Sequence, residues 1–179
     1  MFYSYSLFHF FTMSWDQVEI IRSTKRKKTV QAKVVDTTLR IYLPAGLSEK
    51  DESKWIQKMK QQIKRKNRKK KLNDSNDLQM RAEKINKKYF AGKLDFSICF
   101  VTNQSSKHGS CTPSTKSIRI SDEIADYPFY VQDYLIIHEL THLLHPNHSK
   151  AFWDKVNEYP YVERAKGFLH ASEFLSKKE

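Results

Sequence analysis

The residues best suited to chemistry lie in one stretch, Ile136 to Trp153, which reads IIHELTHLLHPNHSKAFW. His138 and His142 are four residues apart, so on a helix their side chains share one face, about 6 Å apart along the axis. Two imidazoles at that spacing can bind one metal ion. Glu139 points partly to the side, where it is badly placed as a ligand but can reach a metal-bound water. The HExxH pattern therefore indicates a metal site with an adjacent general base.

A catalytic zinc site needs a third protein ligand and leaves the fourth position to water. His145 falls on the same helical stripe as the first two histidines, but three ligands in a line cannot surround an ion tetrahedrally. Pro146 and Asn147 break the helix, so the chain can return and bring His148 to the metal from another direction. We predict His148 as the third ligand, with His145 beside the ligands or in solvent. The other candidates for this position are Glu158, Glu163 and Glu173.

The flanking residues predict the elements that hold these side chains. YLIIHELTHLL is apolar nearly all round, which indicates a buried helix. Pro128 suits its first turn, and Pro146 is expected to end it. Ser149 is placed to cap a second helix that packs through Phe152 and Trp153 and holds the loop carrying His148.

The stretch HELTHLLHPNHSKAFW resembles the signature of the YgjP-like metallopeptidases, relatives of the WLM and SprT-like zinc proteases. Other blocks resemble the family in the same order between Ser14 and Trp153, namely VEIIRSTKRKKTVQAKVVDTTLRIYLPAGLS, INKKYFAGKL and GSCTPSTKSIRIS. The resemblance implies zinc bound by His138, His142 and His148, with Glu139 as the base. It also implies a protein or peptide substrate.

Two positions distinguish the chain from related patterns. His108 precedes Gly-Ser-Cys in this chain. The family usually has tryptophan at this position, so a role of that tryptophan in the family is not transferred to His108. The spacing from His138 to His148 also resembles that of metzincins, but those have glycine at the position of His145 and a methionine turn downstream. No methionine follows Met80 in this chain, which excludes the metzincins.

Hydrophobic periodicity predicts an α+β fold. The family resemblance implies, more specifically, a minimal zincin-like metallopeptidase core with an HExxH active-site helix. Three alternating segments predict an N-terminal antiparallel meander, and Ser48 is expected to cap the helix that follows. A second helix is expected to end at Gly92, before two strands separated by a polar loop. The predicted strands are Val18 to Ser23, Thr29 to Val35, Leu39 to Leu43, Phe96 to Thr102 and Ser117 to Ser121.

We expect residues 1–13 to be an N-terminal extension, with Met13 as an alternative start. MFYSYSLFHFFTM lacks the basic start and the small-residue cleavage site of a secretion signal. Residues 14–179 are expected to form a single metallopeptidase domain. Its parts are the strand meander at 14–47, helices with a basic run at 48–92, and the catalytic core at 93–179.

The chain is strongly basic, with 32 Lys and Arg residues against 20 Asp and Glu and a net charge of +12. Between Lys58 and Lys71 the sequence reads KMKQQIKRKNRKKK, which is either a solvated helix face or a surface for polyanions. The run contains no aromatic residue for stacking on bases. Nucleic acid is therefore a candidate partner through electrostatic contact alone.

The expected reaction is hydrolysis of a peptide bond, in which Glu139 takes a proton from a zinc-bound water as it attacks. The strand SIRIS before the metal helix is either an internal strand or an edge on which substrate pairs. A further stabiliser of the transition state is not identified, and His108, Tyr159 and Tyr161 are the residues considered.

The competing interpretation is a nucleic-acid-associated protein whose zinc site is structural and closed by a fourth ligand, either Cys111 or His145. The likeness to SprT-like proteases suggests a third function, proteolysis of DNA-bound proteins. The two cysteines, Cys99 and Cys111, do not make a disulfide framework, and no apolar run is long enough to span a membrane. We therefore expect a cytoplasmic protein.

Overall fold

A computed structural model describes residues 15–104 and 107–176, and the predicted extension at 1–13 lies outside the described residues. The chain divides after Arg68 into two compact units, and the division falls within helix α1. The described elements form separate runs of three strands, two helices, three strands and three helices, as expected for the α+β class. In chain order they are β1 (Gln17–Ser23), β2 (Gln31–Val35), β3 (Thr38–Pro44), α1 (Glu49–Asp74), α2 (Asp77–Phe90), β4 (Ser97–Val101), β5 (Gly109–Thr112), β6 (Ser117–Ser121), α3 (Phe129–Thr141), α4 (Lys150–Val156) and α5 (Val162–Ser176).

The sheet of the first unit corrects the predicted antiparallel meander. Its strand order is β1-β3-β2, with β1 parallel to β3 and β2 antiparallel to β3. Strand β3 is the most buried of the three, and its inward residues Leu39, Ile41 and Leu43 are fully buried. Its central position pairs it on both sides, which removes most of its surface from water.

Helix α1 covers one face of this sheet within the first unit. Met59 joins the buried core of β3, and Trp55 and Ile63 pack against that core from the same side of the helix. The Oγ atom of Ser48 accepts a hydrogen bond from the Asp51 backbone N–H at 3.2 Å, which confirms the predicted N-cap.

The second unit contains a sheet of order β4-β6-β5, in which β6 pairs parallel with β4 and antiparallel with β5. Strand β5 was missed in the sequence, where its residues were predicted as a polar loop. It spans four residues with little apolar character, so it depends on pairing with β6 rather than on its own pattern.

Helix α3 is the centre of the second unit. It contacts α2, α4, α5 and both strands β5 and β6. Its aliphatic residues are buried, which confirms the predicted buried helix, although Phe129 at its first position is 69% exposed. The buried aliphatic residues are Val131, Leu135, Ile136, Ile137 and Leu140. Packing on several sides fixes both the rotation and the axial position of this helix.

The end of α3 differs from the prediction, which placed it at Pro146. The helix ends at Thr141, because the next turn tightens. The Leu143 N–H bonds to the Leu140 carbonyl at 3.1 Å and the Leu144 N–H to Thr141 at 3.0 Å, an i to i−3 pattern. His142 is the C-cap residue and has helical backbone angles, so its side chain still lies one turn after that of His138.

None of the helices in the described ranges combines the length and the apolar character that a bilayer crossing requires.

Candidate metal centre

The structure brings together the three histidines predicted as ligands. Each of His138, His142 and His148 offers one ring nitrogen, and these atoms all lie within 4.8 Å of one another. The Nε2 atoms of His138 and His148 are 3.2 Å apart. Two nitrogens that share a tetrahedral zinc at about 2.0–2.1 Å are separated by roughly 3.4 Å. The donor set therefore fits one small divalent ion.

Two of the three imidazoles, those of His138 and His142, have a lowered pKa, which favours the neutral form that a metal requires. Burial, followed by the neighbouring His142 and His148, lowers the pKa of His138 to about 3. Burial also lowers the pKa of His142. The Nδ1 atom of His142 lies 3.3 Å from the His145 carbonyl oxygen. A carbonyl can only accept, so Nδ1 carries the proton and Nε2 keeps its lone pair for a metal.

Helix α4 holds the third histidine against the other two. The Ser149 side chain accepts a hydrogen bond from the Phe152 N–H at 3.4 Å, as predicted for the N-cap. The Phe152 ring is fully buried, with its centroid 4.6 to 4.9 Å from those of all three imidazoles. The Trp153 ring stacks on His148 at 5.5 Å. These two aromatic rings form an apolar wall that limits the movement of the imidazoles.

Glu139 lies beside the histidines in a dry environment. Its side chain is 4% exposed, and its Oε2 atom is buried without a hydrogen-bond partner among the described residues. Burial raises the pKa of this carboxyl to about 7, while Lys107 acts in the opposite direction. A buried carboxyl without protein partners is typical of a group that acts on a bound molecule rather than one that stabilises the fold.

Gly109 is a site residue whose role the sequence analysis missed. A Cβ atom built on Gly109 would lie 2.6 Å from Oε1 of Glu139 and 3.0 Å from its Cδ and Cγ atoms. Only glycine lets β5 approach the carboxyl this closely. The residue stands in the GSC block quoted above, but the sequence does not show which side chain meets it.

The histidines and Glu139 open into a cleft of about 490 Å³ bordered by β5. Strand β5 has a strand neighbour on one side only within the described chain, whereas β6 is paired on both sides. The interpretation of SIRIS as an edge for substrate is therefore wrong, and β6 is an internal strand. The edge beside the cleft belongs to Gly109–Thr112.

The remaining candidates lie outside the histidine group. His145 contributes its backbone carbonyl to His142, and its side chain is not a member of the group. Cys111 lines the cleft, and burial followed by the charge of Glu139 raises the pKa of its thiol to about 11. The three acidic candidates interact with other side chains: Glu158 with Lys155, Glu163 with Lys166, and Glu173 with His108.

The three residues considered as transition-state stabilisers are placed differently. His108 lines the cleft, with its Nε2 atom 3.0 Å from Glu173 Oε1 on α5. Tyr159 is buried, and its hydroxyl donates to the Tyr130 carbonyl at 3.1 Å. Neither Tyr159 nor Tyr161 lines the cleft. Only His108 of the three remains beside the site.

The profile of the YgjP-like metallopeptidase domain matches residues 79–171, just over half of the chain. The chain belongs to the YgjP-like metallopeptidase family. The match contains helices α3 and α4 with the histidine group and Glu139. Membership of this family implies a bound metal and a protein or peptide substrate.

Two solved structures are similar to this YgjP-like chain. The metallopeptidase zymogen abylysin of Pyrococcus abyssi is 22% identical over 50% of this chain and 86% of its own, with a TM-score of 0.44. The metallopeptidase zymogen jannalysin of Methanocaldococcus jannaschii is 18% identical over 57% of this chain and 98% of its own, with a TM-score of 0.46. No curated protein matches the chain significantly.

Proposed function

We propose that this YgjP-like protein is a zinc peptidase whose metal ligands are His138, His142 and His148 and whose general base is Glu139. The observation that carries the proposal is the convergence of three imidazole nitrogens within 4.8 Å, next to a buried carboxyl whose Oε2 atom has no hydrogen-bond partner among the described residues. Family membership supplies the reaction class, and the geometry supports these roles.

Zinc fits this donor set better than calcium or magnesium. Three imidazole nitrogens suit zinc, whereas calcium and magnesium prefer oxygen ligands. When bound, the ion would polarise the scissile carbonyl, stabilise developing negative charge on its oxygen and lower the pKa of a water molecule.

Glu139 takes the proton of the attacking water and delivers it to the leaving amine. Burial raises the pKa of the Glu139 carboxyl to about 7, so this group can both accept and release a proton near neutral pH. Gly109 fixes the position of the carboxylate from the side of β5. The aromatic wall of Phe152 and Trp153 limits water around the imidazoles.

The edge of β5 offers a place for an extended peptide. In this proposal the substrate pairs with Gly109–Thr112 through main-chain hydrogen bonds, the mode called β-augmentation. The pairing would lay the peptide along the cleft that contains Glu139 and the histidines. Selectivity from main-chain bonds is low, so side-chain preference depends on the cleft walls.

A closed structural zinc site is the competing function. It requires a fourth protein ligand, and the group that could hold an ion consists of three histidines within the described ranges. Cys111 and His145 are not members of that group. This arrangement favours an open catalytic site.

The test is the Glu139→Gln variant, assayed for zinc content and for cleavage of an unfolded protein such as casein. We expect one bound zinc per chain in both proteins and a loss of at least roughly 100-fold in turnover, because only the base is removed. The matched control is Glu163→Gln, whose carboxylate is exposed and pairs with Lys166. Turnover by the Glu139 variant at the rate of this control would contradict the proposed role.

A further inference from the structure

The charge of the chain is distributed unevenly between its two units. The first 68 residues contain 15 of the 32 basic and 6 of the 20 acidic residues, a net charge of +9. The remaining residues carry only +3 and include every residue of the candidate metal centre. The positive charge therefore belongs mainly to a part of the chain that has no role in the proposed chemistry.

Within the first unit, the basic residues are concentrated on α1. No acidic residue occurs between Glu52 and Asp74, so Lys58, Lys60, Lys64 and Lys66 have no acidic residue three or four positions away in the sequence. Lys60 and Lys64 are four residues apart on the helix, a spacing at which like charges repel. A helix face that serves only for solvation mixes both signs along its length. The lysines exposed on this part of the helix are Lys54, Lys58, Lys60, Lys64 and Lys66.

The apolar side of α1 is already used within the first unit. Trp55, Met59 and Ile63 pack against the core formed by β3. A helix that inserts into a membrane surface needs an apolar face that is free to enter the lipid. The free surface of α1 is cationic and polar, which favours a polyanion in solution over a membrane surface.

We propose that the exposed lysines of α1 form a docking surface for nucleic acid, independent of the peptidase site. Nucleic acid fits because its phosphates present a regular, dense line of negative charge, and their neutralisation by lysine releases bound counterions. The contact is to the phosphate backbone and not by stacking on bases, since the part of α1 after Trp55 has no aromatic side chain. Binding is therefore independent of nucleotide sequence, and it places the peptidase near proteins that are bound to nucleic acid.

The test measures binding of the full chain to a labelled DNA duplex of about 25 base pairs by fluorescence anisotropy, between about 50 and 200 mM salt. The test variant carries Lys60→Gln, Lys64→Gln and Lys66→Gln. Glutamine has a helix propensity close to that of lysine, so α1 is retained, which circular dichroism checks. We expect the slope of log K against log salt to fall in magnitude by about 2 to 3, because each lost phosphate contact contributes roughly 0.9.

The matched control carries Lys84→Gln, Lys87→Gln and Lys88→Gln, which remove the same charge from exposed positions of α2. We expect this control to keep the wild-type slope. Equal losses in the two variants would mean that only net charge matters, and would overturn the proposal. Absence of binding by the wild type at about 50 mM salt would also overturn it. So would binding to phosphatidylserine vesicles without binding to the duplex.

Cleavage of casein without nucleic acid separates this proposal from the proposed function. The α1 variant is expected to cleave at the wild-type rate, since α1 contains none of the residues assigned to the peptidase site. An inactive protein that binds the duplex with the expected slope would contradict the peptidase assignment and leave the docking surface supported.

Discussion

At the scale of single residues, the backbone of Gly109 approaches Glu139 too closely for any side chain at position 109. The carboxyl is buried, its Oε2 atom has no partner among the described residues, and its Oε1 atom faces the backbone of β5. A buried carboxyl can turn away from its working position unless its surroundings hold it there. Glycine at position 109 leaves free the space that the carboxyl occupies, which a Cβ atom there would overlap.

We predict that Gly109→Ala lowers turnover at least roughly tenfold without loss of zinc, because the new methyl group displaces the base but not the imidazoles. The unfolding free energy should fall by about 1–3 kcal/mol, the usual effect of overpacking. Casein cleavage, metal analysis and thermal unfolding check the three effects.

Gly167→Ala is the matched control, because a Cβ atom there meets nothing within 4 Å and the position is exposed on α5. We expect it to keep full turnover and to gain about 0.5–1 kcal/mol of stability, since alanine favours a helix over glycine. Equal turnover in the two variants would contradict the role of Gly109.

We predict that Cys111 reacts slowly with iodoacetamide in the folded protein. Its thiol has a pKa about 11, raised by burial and then by Glu139, so it stays protonated until the pH approaches that value. At pH 8 its thiolate fraction is roughly 100-fold below that of a thiol with a pKa about 9. A Cys99→Ser background isolates Cys111, and mass spectrometry compares alkylation rates in buffer and in denaturant. Equal rates under both conditions would contradict the burial of the thiol.

At the scale of elements, α3 and α4 together position the three histidines of the candidate metal centre. Helix α3 supplies His138 and, at its cap, His142, while the turn before α4 supplies His148. The chain reverses between these helices without regular structure. The position of His148, the third proposed ligand, therefore depends on the N-cap that Ser149 supplies to α4.

We predict that Ser149→Ala weakens zinc binding as well as stability. Loss of this N-cap should cost about 1 kcal/mol and let the loop carrying His148 move. Competition with a chelating dye measures zinc affinity, and we expect a reduction of roughly fivefold or more.

Ser48→Ala removes the corresponding cap of α1, where Ser48 accepts from the Asp51 N–H. We expect a similar loss of stability in this control, with unchanged zinc affinity. If both serine variants lowered zinc affinity equally, the effect could not be assigned to the His148 loop.

The strands show what local patterns can and cannot predict. The residues of β3 alternate clearly, and the predicted strand at Leu39 to Leu43 is confirmed. The order of the sheet was predicted wrongly, because alternation does not specify which strand is the neighbour. Strand β5 was missed for a related reason: its four residues gain strand structure only from pairing with β6.

At the scale of the whole molecule, metal binding should stabilise the second unit. A ligand present at about 100 times its Kd adds roughly 2.7 kcal/mol, which corresponds to about 5 to 10 °C in Tm for a protein of this size. We predict a shift of this order between zinc-loaded and chelator-treated protein, measured by scanning calorimetry. His148→Ala should abolish the shift, because it removes a ligand at an exposed position.

His170→Ala is the matched control, since His170 is exposed on α5 and outside the histidine group. We expect it to keep the zinc-dependent shift. A zinc-dependent shift that persists in the His148 variant would contradict the ligand assignment.

The sequence by itself determined the histidine group, the adjacent carboxyl and the helices that carry them. Those features are local, because i, i+4 spacing, helix caps and apolar periodicity each involve residues that are close together in the sequence. They can be recognised without knowing which distant residues they contact. The family resemblance from the same residues is confirmed by the profile match at 79–171. The prediction of one domain over 14–179 stays a prediction.

Only the tertiary structure decided which strand borders the cleft and why Glu139 is fixed. The contact of Gly109 with Glu139 joins residues thirty positions apart, and the edge position of β5 depends on the pairing of β6 with two partners. Which ring nitrogen of His142 carries the proton likewise depends on the His145 carbonyl, which the turn after α3 places beside Nδ1. Contacts between distant residues follow from packing of the whole unit, which no short pattern encodes.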